Sequence, residues 1–418
     1  MRILLIVRSF APEVNSVAVL YGQLAAALAE RGHTVTVLTR SPQTYLAGGE
    51  TAGASPASAA KRRADVAVRR VPTLPVPGWV PLLRGFEQVC TAGSFLASAL
   101  LARRHDVALV YSPPLPYALP AGALRALRGT PFVLNVQDLY PQTATDLGLL
   151  RNPLLIRAAK ALERFAYRNA AHIVVHSEGN RRHVIAHGAP AGKVSVIPNW
   201  VDTESIAPGP RDNGFRLEHR LDSRFVVSFA GVMGFAQGLG TVIEAADLLR
   251  GRDDIVFVLI GDGVRRGPLE AEAARRRLTN VRFVPLQPPE RYAQVLAASD
   301  ACLVTLDARL KVPVVPGKLQ SIMAAGRPVV ASVDAGGDVP RIVAEADCGI
   351  VVDPADPSTL AEAVLRLQGD PQLRERMGRN GRAYALRHYS REKAVERYLE
   401  ELQAAARASG RTGEERSR

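Results

Sequence analysis

"RILLIVRSFAPEVNSVAVLYGQLAAALAERGHTVTVLT", residues 2–39, sets the period that the rest of the chain repeats. "RILLIV" is a short apolar run, as a strand covered on both faces requires. "SVAVLYGQLAAALAERG" carries apolar residues at helical spacing and closes on Gly32, and "HTVTVLT" is a second strand. Strand, helix, strand in that order predicts parallel strands joined by a covering helix.

The pattern recurs through "DVALVYS" (106–112), "PFVLNVQD" (131–138), "HIVVHS" (172–177) and "KVSVIP" (193–198). It fails over 41–64, a Gly/Pro/Ser-rich stretch read as a mobile loop, whose Lys61-Arg62-Arg63 either meets anionic lipid or is solvated. A second break at 201–224 is read as a linker, and alternation resumes with "FVVSFAGV", "IVFVLIGDG", "VRFVPL", "ACLVTLD", "PVVAS" and "GIVVD". The expected organisation is therefore two Rossmann-like doubly wound α/β domains facing a cleft, 1–200 and 225–390. A helix over 391–408 is expected to pack back on the first domain, followed by a disordered tail over 409–418. In such sheets ligands gather at the carboxyl ends of the strands.

The 418 residues suffice for two cores, and 47% hydrophobic against 22% charged residues is a globular composition. Three well-separated cysteines, Cys90, Cys302 and Cys348, suit a reducing cytoplasm better than a disulfide framework. "ILLIV" is too short for a secretory leader, and no run reaches the roughly 18 apolar residues of a membrane span. Residues 89–102, "VCTAGSFLASALLA", read as a buried helix, with in-plane membrane contact as the alternative. The net charge of +13 favours anionic partners, but no basic segment interleaved with aromatics points to nucleic acid.

The candidate chemistry sits at strand ends. "FAGVMGFAQGLGTVIEAADLL" (229–249) sets Gly231, Gly234, Gly238 and Gly240 between a strand and a helix, where backbone N–H groups can meet an anion. "LIGDG" (259–263) is a second such turn, and "VPVVPGKLQSIMAAGRPVVAS" (312–332) is a third, with Gly317 for the turn and Lys318 for a full charge. Three such turns in one domain point to a diphosphate site. In the first half Asn15 or Ser16 reads as a helix N-cap that could also offer its loop to a ligand. Asp138, beside Gln137 at a strand end, either orients a hydroxyl or caps the turn before Pro141. His183 and His187 lack a third ligand, so no metal is expected, and Asp253-Asp254 reads as surface charge.

Taken in order, these motifs resemble the large family 4 of two-domain (GT-B) glycosyltransferases, from residue 1 to about 402. The likeness rests on the opening strand–loop–helix–strand, "VVHSEGNRRHVIAHGAPAGKVSVIPNWVD", "AGVMGFAQGLGTVIEAADLL", "VLIGDG", "NVRFVP" and "MAAGRPVVAS". "NVQDLYP" and "IPNWVD" are similar to bacterial O-antigen, capsule and exopolysaccharide enzymes, including those transferring fucose or N-acetylfucosamine. The resemblance implies a nucleotide-diphosphate sugar donor (UDP-linked from the narrower likeness), an undecaprenyl-diphosphate-linked acceptor, retention at the anomeric carbon and no metal or other cofactor. It also implies a cytoplasmic protein, with peripheral attachment to the inner membrane face.

The chain departs from the family at Val232 and Gln237, where an arginine and a lysine are usual. It departs again at Pro313 and Ser321, where glutamates are usual, and at Gln137 for a histidine. The expected donor diphosphate site is therefore Gly231, Gly234, Gln237, Gly317 and Lys318. Val284, Pro285, Leu286 and Ser321 are expected at the nucleotide and sugar, Asn15 and Ser16 in the acceptor loop, and Asp138 and Lys318 as the catalytic pair. A nucleotide-sugar 2-epimerase on the same fold and a catalytically silent nucleotide-sugar-binding subunit remain as alternatives.

Overall fold

The computed structural model describes residues 1–13, 15–42, 66–73, 81–221 and 223–416, the last eight of these and 81–84 by backbone alone. The loop expected over 41–64, with Lys61-Arg62-Arg63, lies outside the described residues apart from its first two positions. The chain divides into two compact units. One holds the residues up to Pro198 together with those from Glu392, and the other is Asn199–Arg391.

The strands of the first unit are β1 (Arg2–Ile6), β2 (Thr34–Arg40), β3 (Val66–Val71), β4 (Val107–Ser112), β5 (Phe132–Val136), β6 (His172–Val175) and β7 (Val194–Val196). Among the described residues they form one parallel sheet in the order β3-β2-β1-β4-β5-β6-β7. The central strands are apolar throughout because helices cover both faces: Ile3 to Val7 and Val107 to Val110 are fully buried. β3 is an edge strand with its middle exposed, and its two arginines break the apolar run that marks the others, so the sequence gives it no signal.

The helix Ser16–Glu30 begins where Asn15 Oδ1 accepts from Ala18 N at 3.0 Å. It stops at Gly32, whose φ of +80° lets the chain turn back into β2. The helix Pro81–Leu100, which covers most of 89–102, is buried on one side and open on the other. Ala92, Phe95 and Ala99 are buried, while Phe86 (61%), Val89 (51%) and Leu101 (86%) stand open to solvent on the other side. No helix among the described residues is long and apolar enough to cross a membrane.

The C-terminal helix runs Arg391–Arg416, so the backbone stays helical where a tail was expected from 409. Gly410 and Gly413 each cost about 1 kcal/mol, which does not stop a helix already nucleated over four turns. It is fastened to the first unit. Asn135 Nδ2 donates to Tyr398 Oη at 2.6 Å and lies 2.9 Å from Tyr21 Oη, Glu401 meets His172 at 3.1 Å, and Leu402 is fully buried.

The second unit carries β8 (Phe225–Ala230), β9 (Ile255–Ile260), β10 (Val281–Val284), β11 (Ala301–Thr305), β12 (Val329–Ser332) and β13 (Gly349–Val352). They form a parallel sheet in the order β10-β9-β8-β11-β12-β13. The order reverses between β8 and β11, the point where a doubly wound sheet opens a ligand crevice.

Residues 201–224 are not a linker. The short helix Gly214–Glu218 within them buries Phe215, and Leu221 joins the same core beside Val226, Val256 and Val295. Arg216, at 0% exposure, donates to Asp300 Oδ2 at 2.5 Å and to the carbonyls of Ala298 and Leu221 at 2.8 Å each. The mixed polar composition that suggested a linker belongs to a segment in which Arg211, Arg216 and Glu218 are paired inside the unit.

Candidate active site

In the second unit, the turns that follow β8 and β9 pack backbone on backbone. Gly231 N donates to Ile260 O at 2.9 Å, and Met233 N donates to Asp262 O at 2.8 Å. A side chain on Gly261 would place its Cβ 1.9 Å from Gly231 O, and one on Gly263 would lie 2.6 Å from Met233 O. At Gly238, φ is +56° and a Cβ would lie 2.6 Å from Leu306 O, in the turn after β11. Three of these glycines therefore serve close packing between adjacent turns. Gly234 and Gly240 have open space where a side chain would stand.

Lys318 opens the helix Lys318–Ala324, which follows Gly317. Its ammonium turns away from the helix axis toward the β8 turn. Nζ donates to Gln237 Oε1 at 2.8 Å, sits 3.6 Å above the centre of the fully buried Phe229 ring, and would lie 3.5 Å from a Cβ on Gly231. No carboxylate lies within ion-pairing distance of it among the described residues. The protein around the ammonium removes enough water to bring its pKa down to about 7. The helix is only seven residues long, so the charge on Lys318, not the helix dipole, makes the turn cationic. Gly231, Gln237, Gly317 and Lys318 thus come together, with Gly234 in the same turn. Phe229 was missed from sequence because its place in a core strand looks purely apolar.

Val284 closes β10, and its carbonyl is already taken, by Gly261 N at 3.0 Å and by Arg266 Nη1 at 3.4 Å. Pro285 has no N–H, and its carbonyl accepts from Gln287 Nε2 at 3.0 Å. Of the three, Leu286, exposed beyond the others, presents both backbone groups without a partner among the described residues. The expectation of three backbone contacts to a base therefore narrows to one residue, because the Val284 carbonyl is taken by the neighbouring turn and the Pro285 carbonyl by the Gln287 side chain. Ser321 lies one turn beyond Lys318 and bonds to the Tyr292 side chain, which sequence reading did not single out.

In the first unit, Asn15 spends its side-chain oxygen on the helix cap, while Ser16 is exposed at the first helical position. Gln137 Nε2 donates to Asn135 Oδ1 at 2.9 Å. Asp138 caps nothing: the turn before Pro141 is closed by its backbone carbonyl, which accepts from Tyr140 N at 2.9 Å. Its carboxylate is open to solvent, yet the protein crowded about the strand end raises its pKa above the usual carboxylate value, and Arg8 draws it partly back. His183 and His187 stack at 4.0 Å, and among the described residues no third ligand completes a metal site. Asp254 is a surface charge bonded to Arg252.

Residues 17–200 match the Glycosyl transferase 4-like domain family, and residues 214–384 match Glycosyl transferases group 1. The chain is 28% identical to the Escherichia coli K12 protein WcaI, named as a colanic acid biosynthesis glycosyl transferase, over 96% of this chain and 100% of WcaI. It is also 28% identical to the Pseudomonas aeruginosa glycosyltransferase WbjE, over 68% of this chain and 71% of WbjE. Among solved structures, Anabaena HepE in complex with UDP superposes with a TM-score of 0.73 at 18% identity, covering 97% of this chain and 100% of HepE. The Thermosynechococcus elongatus sucrose-phosphate synthase superposes at 0.76 and 19% identity, covering 97% and 99%.

Proposed function

We propose that this chain, which belongs to the two-domain (GT-B) family 4 glycosyltransferases, moves a sugar with retention from a UDP-linked donor to a lipid-linked glycan acceptor in cell-surface polysaccharide assembly. One observation carries the proposal: a desolvated ammonium, Lys318, stands at the sheet's switch point, 2.8 Å from Gln237 and without a carboxylate partner among the described residues. A cation held this way is poised for an anionic group. The UDP bound by HepE supports a nucleoside diphosphate, and the colanic acid assignment of WcaI supports a polysaccharide acceptor.

Breaking the anomeric C–O bond loads negative charge onto the leaving diphosphate. A cation fixed in place beforehand stabilises that charge without reorganising, which is the largest contribution a transferase of this type can make. Lys318 takes that role, with Gly231 and Gly234 permitting close approach of the phosphates and Gln237 holding the ammonium in line. The leaving oxygen itself accepts the acceptor's hydroxyl proton, so attack comes from the face the donor leaves. Leu286 offers one donor and one acceptor to the edge of a base. Asp138 orients a sugar hydroxyl, and its raised pKa makes its carboxylate a better acceptor for that hydroxyl's hydrogen.

Peripheral attachment to the cytoplasmic membrane face, where a lipid-linked acceptor resides, is part of the same proposal. The open apolar side of helix Pro81–Leu100, with Phe86, Val89 and Leu101 followed by Arg103 and Arg104, suits an anionic bilayer surface. Neither alternative is favoured, and among the described residues no pair of carboxylates flanks Lys318 to serve an epimerase. Incubating the chain with a panel of UDP- and GDP-sugars tests the proposal. Slow release of UDP from one donor is expected, and binding of donors without release of nucleotide from any of them would instead identify a silent subunit.

A further inference from the structure

The second unit carries another cationic site at the opposite end of its sheet. A groove with a cavity volume of 520 Å³ lies between the segment holding Pro208 and Arg211, the residues that lead into β11 and β12, and the helix Pro371–His388. In a parallel sheet these are the amino ends of the strands, about 17 Å from the carboxyl ends that hold Lys318. Five arginines and two carboxylates line the groove, an excess of three positive charges.

The pairing within it is unequal. Asp300 is fully engaged: it accepts from Arg211 Nε at 2.6 Å, Arg216 Nη2 at 2.5 Å and Val226 N at 2.8 Å. Glu375 faces Arg379 at 3.5 Å. Among the described residues Arg327, Arg374 and Arg382 have no carboxylate within ion-pairing distance. Arg382 is fixed by the carbonyls of Ile206, Ala324 and Thr203 at 3.0, 2.8 and 3.0 Å, and Arg374 lies over the Phe225 ring with Nη1 on Gln368 O at 3.0 Å. Arg327 donates from Nη2 to Gly209 O at 3.0 Å, while its buried Nε has no acceptor.

Backbone carbonyls hold these guanidinium groups in position but do not neutralise them. Burial pulls the pKa of Arg382 below the ordinary arginine value, and that of Arg327 too, where Asp300 and Cys302 only partly offset the loss of water. Planar donors fixed around a cavity of this size match the oxygens of a small phosphate anion, which guanidinium groups bind two oxygens at a time.

We propose that this arginine-lined groove is a second anion site, distinct from the donor turn, and that it takes a soluble oligophosphate of the pyrophosphate class through Arg327, Arg374 and Arg382. The site stands apart from the transferase proposal and does not depend on it. Isothermal titration of the full chain with inorganic pyrophosphate tests it, using Lys318→Ala to silence the donor turn. Ala383→Glu puts a negative charge on the exposed rim without removing any contact, and Arg374→Gln removes one of the unpaired cations. One pyrophosphate site, the groove, is expected to remain in Lys318→Ala, and its affinity to fall at least tenfold when either groove substitution is added. Two results would overturn the proposal: pyrophosphate binding lost with Lys318→Ala alone, or unchanged by Ala383→Glu. A third would do so by assigning the groove to a lipid headgroup: Ala383→Glu-sensitive sedimentation with vesicles containing phosphatidylglycerol, and no heat from pyrophosphate.

Discussion

Replacing Lys318 by Ala isolates the charge on which the proposed chemistry depends. The ammonium touches only an amide oxygen at 2.8 Å and a ring face at 3.6 Å, so no ion pair inside the protein is broken by its loss. What disappears is a charge-assisted contact to a diphosphate on which charge grows during transfer. Preorganised donors of this kind contribute about 3–4 kcal/mol, which corresponds to a fall of roughly 10² to 10³ in kcat/KM. Stability should change little, because the cost of desolvating the cation offsets its hydrogen bond to Gln237 and its contact with the Phe229 ring. Lys318→Gln, which keeps the length of the side chain and drops its charge, should lose nearly as much activity. The assay is UDP release coupled to sugar transfer, with thermal unfolding by circular dichroism on the same samples. A folded Lys318→Ala protein retaining kcat/KM within threefold of wild type would refute the assignment.

A pKa of about 7 for Lys318 means that the free site holds its charge below neutrality and loses it as pH rises. The apparent donor affinity, read as KM from pH 6 to 9, should therefore weaken by about tenfold per unit well above pH 7, and a flat profile would count against this. Gly261→Ala should lower stability by about 3 kcal/mol in urea unfolding, since φ is +143° and the new Cβ would stand 1.9 Å from Gly231 O. Asp138→Asn should reduce kcat by about 10² with an unchanged midpoint of unfolding, because the carboxylate is exposed and caps nothing. Arg216→Met should cost about 3–5 kcal/mol in urea unfolding by leaving Asp300 short of a buried partner, and a cost under 1 kcal/mol would show Arg211 alone to suffice.

The strands were readable because helices cover both sheet faces and each buried strand is a short apolar block, as in "RILLIV", "DVALVYS" and "FVVSFAGV". A helix start was readable where a cap marks it, as at Asn15. β3 escaped because an edge strand with Arg69 and Arg70 need not be apolar. Residues 201–224 were mistaken for a linker because Arg216 reads as solvent-seeking when its partner, Asp300, lies 84 positions away.

For the site, the local chemistry was in the sequence: glycine turns at strand ends and a single lysine after Pro316-Gly317. Local spacing alone sets those features, since strands, turns and helix starts are decided by neighbours a few residues apart. Which glycines pack against a neighbouring turn and which leave room, why only Leu286 keeps its backbone free, and that Lys318 reaches Phe229 and Gln237 were decided by the tertiary structure. The same holds for Arg327, Arg374 and Arg382, which line one groove from separate segments. Charge and burial are properties of a place in the fold, and that place is made by residues far apart in the chain.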